Sequence, residues 1–278
     1  MMISTEAQSD VTRVPRPRIA VICHEHDPLN SDFLPRWLAG FSDVVAVIVI
    51  RESRAPQMRR LRAEYRRVGL WRLFDVLAFR LYYKMFIARA DRAWQRTQLD
   101  RLTARLQTAR PGVPTLTTPD PNDDQVIDFL KRAAPDLTVA RCKWLLERSV
   151  YEIPRFGTFV LHPGICPQYR NSHGCFWALA CNDLENVGLT LLRVDDGIDT
   201  GPIYGFFRYR FDAATESHVR IQDRVVLENL DGIRTKLLEI AAQRARPLAV
   251  VSERSRNWGQ PWLSAYLRWH RAARDARL

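Results

Sequence analysis

Glycine is scarce: the chain has 12 in 278 residues. None falls in the turn after the first apolar run, Cys23-His24-Glu25-His26-Asp27-Pro28-Leu29-Asn30. A dinucleotide-binding fingerprint needs closely spaced glycines there, so that the backbone can approach a pyrophosphate. That fingerprint is absent, and NAD-type chemistry is not expected. Cysteines number only five, are scattered and include no CxxC pair. With no secretory leader in view, a reducing cytoplasm is the expected home. No long uncharged apolar run occurs either. The most apolar stretch, 69–88, is broken by Arg72, Asp75, Arg80 and Lys84, so no transmembrane segment is expected. There are no internal repeats and no low-complexity tracts.

What is present is basic charge and a full complement of core formers. The net charge is +11 and the pI about 9.9, which favour an anionic partner such as a phosphorylated small molecule, nucleic acid or acidic lipid. With 46% hydrophobic residues, the chain can bury a full core. Residues 1–17 are polar with two prolines and read as a disordered lead-in. Apolar runs at 18–23 and 44–50 flank a helical spacing of Phe33, Leu34, Trp37, Leu38 and Phe41. That is a β-α-β unit, the start of an open, mostly parallel α/β sheet of Rossmann-like type. Residues 51–108 then read as a basic helical insertion. Its apolar part, 69–88, carries one polar stripe and is expected to be buried on most sides, with interfacial membrane contact or dimer packing as alternatives. Residues 221–244 predict one long amphipathic helix, and 251–278 form a basic, Trp-rich, helical C-terminal extension to a domain spanning 18–250.

Two stretches carry the candidate chemistry. Residues 158–161 read as a buried strand ending at His162, where Pro163, Gly164 and Pro167 break it. Residues 187–194 read as a second strand, followed by Asp195-Asp196-Gly197-Ile198-Asp199-Thr200-Gly201-Pro202. A histidine and a carboxylate on neighbouring strand-end loops can share a proton with a small substrate. Cys23, His24, Glu25, His26 and Asp27 could suit zinc, but no third ligand pattern is visible and no metal is expected. Cys166, inside the first loop, is the one thiol worth testing as a nucleophile.

These stretches resemble the folate-dependent formyltransferases. The family signature is matched in order by His162-Pro163, Pro167, Tyr169-Arg170, Trp177-Ala178, Gly188 with Thr190, and Asp199-Thr200-Gly201-Pro202. The resemblance is specific over about 120–205. It implies a formyltransferase fold and an enzyme that moves a formyl group from 10-formyltetrahydrofolate to an amine. His162 would stabilise the oxyanion and Asp199 would relay the proton. Asp195, Gly197, Ile198, Thr200 and Gly201 would line the folate. Arg141, Lys143, Tyr169 and Arg170 are candidates to contact the acceptor. Two positions depart from the family: Val160 stands where it carries an asparagine, and Asn171 where it carries a glycine. Asn171, His173 or a backbone amide is the expected replacement donor to the formyl oxygen.

The acceptor is expected to be small and anionic, such as a nucleotide sugar or an amino metabolite, and a homodimer is possible. No DNA partner is expected. Two other readings stay open: a hydrolase in which water replaces the amine, and a non-catalytic binder of polyanions or membrane.

Overall fold

The short apolar runs are strands because both of their faces are covered. In β1 (Arg18–His24), Ile19 and Val21 point to one side of the sheet while Ala20 and Ile22 point to the other, and all four are fully buried. This is the pattern of a parallel strand clothed by helices on both faces. The chain is described by a computed structural model over residues 16–52, 54–106, 112–250, 252 and 254–276. The lead-in expected at 1–17 lies outside these residues up to position 15.

The remaining strands are β2 (Asp43–Ile50), β3 (Thr115–Thr118), β4 (Leu137–Arg141), β5 (Thr158–His162), β6 (Arg170–Asn171), β7 (Leu189–Arg193), β8 (Ile203–Phe207) and β9 (Asn257–Trp258). Seven of them form one sheet in the order β3-β2-β1-β4-β5-β7-β8. The first five are parallel, and β7 and β8 are each antiparallel to the preceding neighbour. The order reverses between β1 and β4, so a crevice is expected outside their carboxyl ends. This is the open, mostly parallel sheet that the sequence predicts.

The helices are α1 (Leu34–Ala39), α2 (Arg54–Tyr82), α3 (Ala88–Thr103), α4 (Asp124–Ala133), α5 (Arg148–Tyr151), α6 (Gly174–Ala180), α7 (His218–Leu227), α8 (Leu230–Ala241) and α9 (Leu263–Asp275). On one face of the sheet, Val21, Val139, Phe159 and Leu161 pack with Phe33, Leu38, Val225 and Leu237. On the other, Ile22, Ile48 and Ala140 pack with Val126, Leu130 and Val150. Fully burying such a side chain contributes about 1.5–3 kcal/mol relative to exposure.

The structure corrects two expectations. The helix expected over 221–244 is two helices, α7 and α8, because the chain turns at Glu228–Asn229, where the Asn229 amide donates to the carbonyls of Val225 and Arg208. The stretch 69–88 is not buried on most sides. Its inner side packs Val76 and Phe79, whereas Trp71 is 86% exposed. It forms an outer layer, so one face is covered and the other is not. The tail is more integrated than an appendage: β9 pairs with β6, and α9 holds α2 through Ser264, whose N–H donates to Asp75 at 2.9 Å.

Candidate active site

His162 ends β5 because Pro163 has no N–H to continue the ladder. Its side chain is buried, with the whole residue 3% exposed. Nδ1 lies 3.2 Å from Asp199 Oδ2 and Nε2 lies 2.7 Å from the carbonyl oxygen of Tyr169. Both neighbours are acceptors, so each ring nitrogen faces a group that an N–H satisfies.

Asp199 reaches His162 by a route that the strand reading does not foresee. β7 is antiparallel to β5, pairing Phe159 with Arg193 and His162 with Thr190. It therefore ends beside the start of β5, and the loop after it must double back along the strand to bring Asp199 to His162. The loop is closely packed against itself. A Cβ at Gly201 would collide with the Arg193 carbonyl, and one at Gly197 would collide with Thr200 Oγ1. Asp195 ties the turn together, accepting from the Gly197 N–H at 3.0 Å and from Thr200 Oγ1 at 2.8 Å. Asp199 itself sits at φ +51°, a left-handed conformation that aspartate tolerates better than most residues.

The loop carrying Tyr169 and Arg170 closes on this turn. The Asn171 N–H donates to Asp199 Oδ2 at 2.7 Å, and Arg170 Nη1 donates to the Ile198 carbonyl at 3.0 Å. The Asn171 side chain is turned away and donates to the Trp258 carbonyl at 2.6 Å. Tyr169 points inward, with its hydroxyl on Asp183 at 2.8 Å and its ring stacked on Trp258. Two candidates are thus spent on structure: Tyr169 reaches the histidine only through its carbonyl, and the Asn171 amide group serves the tail. His173 packs its ring 5.9 Å from that of His218, and burial pushes its pKa down to about 3. Cys166 is buried, and desolvation pushes its thiol well above the usual range, which opposes a nucleophilic role.

At the end of β4, the structure corrects one reading. Arg141 is turned inward, with Nε donating to Asn30 Oδ1 at 3.0 Å and Nη1 to the Leu161 carbonyl, so it braces the loops rather than standing free for an acceptor. Lys143 stays exposed, and its backbone N–H donates to His24 Nε2 at 2.9 Å. Glu25 is held by Arg51. Among the described residues, no three His, Cys, Asp or Glu side chains converge as metal ligands.

Three side chains near the crevice escape sequence reasoning. Trp144 follows β4 and clusters with Val160 and Val194, and its indole N–H is buried without a partner. Leu145 beside it is 58% exposed. Asp223 on α7 is held protonated up to about pH 7, chiefly by burial and then by Asp27, against the opposing pull of Arg141 and a 2.8 Å bond from Gln95. Asp223 is one of four carboxylates in the amphipathic stretch 221–244, with Glu228, Asp231 and Glu239, so the sequence carries no signal that marks it.

Comparisons with known proteins bear on the family and the fold. The sequence pattern of the family described as Formyl transferase matches residues 93–235, a span holding both the His162 and the Asp199 loops. A methionyl-tRNA formyltransferase from Thermus thermophilus is 29% identical over 185 residues, covering 59% of this chain and 60% of that protein. One from Kosmotoga olearia is 35% identical over 94 residues, covering 33% of this chain and 30% of that protein. The chain thus spans 60% or less of the length of these two curated relatives. Among solved structures, glycinamide ribonucleotide transformylase 1 from Symbiobacterium toebii superposes with a TM-score of 0.51 at 17% identity, covering 87% of this chain and 93% of that one. A 4-N formyltransferase from Francisella tularensis gives 0.52 at 13% identity, covering 87% and 76%. Both share the fold.

Proposed function

The chain belongs to the formyl transferase family, and from that premise we propose that it transfers a formyl group from 10-formyltetrahydrofolate to the amine of a small, anionic acceptor in the cytoplasm. The observation that carries this reading is the buried His162–Asp199 pair, 3.2 Å apart at the carboxyl edge of the sheet. A formyl donor supplies an electrophilic carbon whose oxygen gains negative charge as the amine attacks; the carbonyl re-forms as the carbon–N10 bond breaks, and the departing N10 takes up the proton that the amine gives up. His162 meets that charge by sharing with it the N–H that otherwise faces the Tyr169 carbonyl, and Asp199 is the acceptor for the amine's proton, directly or through water.

The residues present fit a folate. Its pteridine is flat, with an apolar surface and a rim of hydrogen-bonding atoms. Val160, Val194 and Trp144 are all partly buried against the same core cluster and supply apolar surface there, and the Trp144 N–H is buried without a partner. Ile198, 39% exposed, adds an apolar side chain on the Asp195–Gly201 turn. Valine at 160 offers shape but no hydrogen bond, which leaves the formyl oxygen to His162 and to nearby backbone N–H groups. Lys143, exposed beside the crevice, is the cation best placed for an anionic acceptor.

Isothermal titration of the full chain with a stable 10-formyltetrahydrofolate analogue tests the reading. Saturable binding, weakened at least tenfold in Asp199→Ala, is the expected result. Absence of binding by folded wild-type protein would overturn the choice of donor.

A further inference from the structure

Among the described residues, the outer face of α2 and the turn after it is largely uncovered. Trp71 is 86% exposed, Phe74 58%, Leu81 59%, Met85 64% and Phe86 66%. Through α2, exposed positions 71, 74, 77 and 81 recur at helical spacing and form one stripe, opposite the buried Val76 and Phe79. An apolar stripe of this length on a surface marks a docking face.

Charge says what docks there. Between residues 62 and 96, every exposed charged side chain among the described residues is an arginine or lysine, including Arg66, Arg72, Arg80, Lys84 and Arg89. The carboxylates of the same segment are turned inward. Glu64 holds Arg67 at 2.5 Å, Asp75 accepts from the Ser264 N–H, and Asp91 accepts from Tyr83 and Ser217 at 3.0 and 2.5 Å. By helical spacing, Arg80 and Lys84 border the apolar stripe. Self-pairing of two such faces would press like charges together. An anionic bilayer surface satisfies both features, since the acyl boundary takes the aromatic and aliphatic side chains while phosphate headgroups take the cations.

We propose that this face docks the protein on an anionic lipid surface, with α2 lying in the headgroup plane. No helix among the described residues is long and apolar enough to cross a membrane, so the attachment is peripheral. It stands independently of the reaction proposed above.

The test is sedimentation of the full chain with vesicles of phosphatidylcholine alone and with about 30 mol% phosphatidylglycerol added, at low and high salt. Binding at least about tenfold stronger to the anionic vesicles, weakened by salt, is expected. The double variant Trp71→Glu/Phe74→Glu should lose that binding while keeping the wild-type circular dichroism spectrum. Should that variant misfold, quenching by brominated lipids decides instead, with wild type quenched more than Trp71→Phe. Failure to bind anionic vesicles, equal binding by the double variant, or equal quenching of Trp71→Phe would overturn the proposal. So would a solution dimer that the same substitutions dissociate, because a second copy would then be the occupant.

Discussion

His162 and Trp71 occupy the environments that their chemistry would reverse. The imidazole is polar and 3% exposed, whereas the indole is apolar and 86% exposed. The difference lies in their partners. His162 sits where three segments converge, so each ring nitrogen lies within hydrogen-bond reach of an acceptor. Trp71 lies on a helix whose inner side alone meets the protein. A polar group is buried when its surroundings are over-determined, and an apolar group is left out when one layer ends. The first region carries the proposed chemistry and the second the proposed contact.

Breaking the first region should give the largest effect. His162→Ala is expected to lower the proposed formyl transfer about 10²–10⁴-fold with folding intact, because the proposed donor to the developing charge is lost. Steady-state kinetics checks this, with circular dichroism confirming the fold. On the covered side of the helical layer, Phe176 is fully buried, packed against Phe79, Trp177 and His218. Phe176→Ala should cost about 3–5 kcal/mol in chemical denaturation.

A smaller effect sharpens the contrast through pH. The Asp223 carboxyl titrates near 7 in the folded protein, raised chiefly by burial from an ordinary 3.8. The folded state thus keeps a proton that the unfolded chain releases, and this group's contribution to stability falls as pH rises from about 4 through about 7. Asp223→Asn cannot titrate, so its stability relative to wild type should rise across that window. Denaturation at the two ends of the window measures the difference, and a flat difference would contradict a protonated Asp223. Smallest of all, Trp71→Ala should change folding stability by no more than about 0.5 kcal/mol, because the side chain is 86% exposed. A larger loss in thermal denaturation would mean that the stripe is covered in solution.

Much of the sheet was legible. Runs of apolar residues at strand length, broken by proline and glycine, place β1, β2, β4 and β5 with His162 at an end, since backbone propensity and burial agree there. The Asp-Gly turn also marks itself, because Gly197 and Gly201 stand where side chains would collide. The helical break at Asn229 was not legible, since the apolar period runs through it and only a side-chain bond to Arg208 on another segment ends the first helix. Nor was the spending of Arg141 and Tyr169 on internal partners, which depends on residues far away in the chain.

By itself, the sequence determined the alternation of strands and helices, the absence of a dinucleotide loop, and the presence of a histidine and an aspartate in turns of matching type. These follow from local periodicity and turn chemistry. Only the tertiary structure decided that β7 runs antiparallel, that its loop returns to set Asp199 beside His162, and that one side of α2 faces open solvent. Strand direction and exposure depend on which elements become neighbours, and that is settled by packing between distant segments.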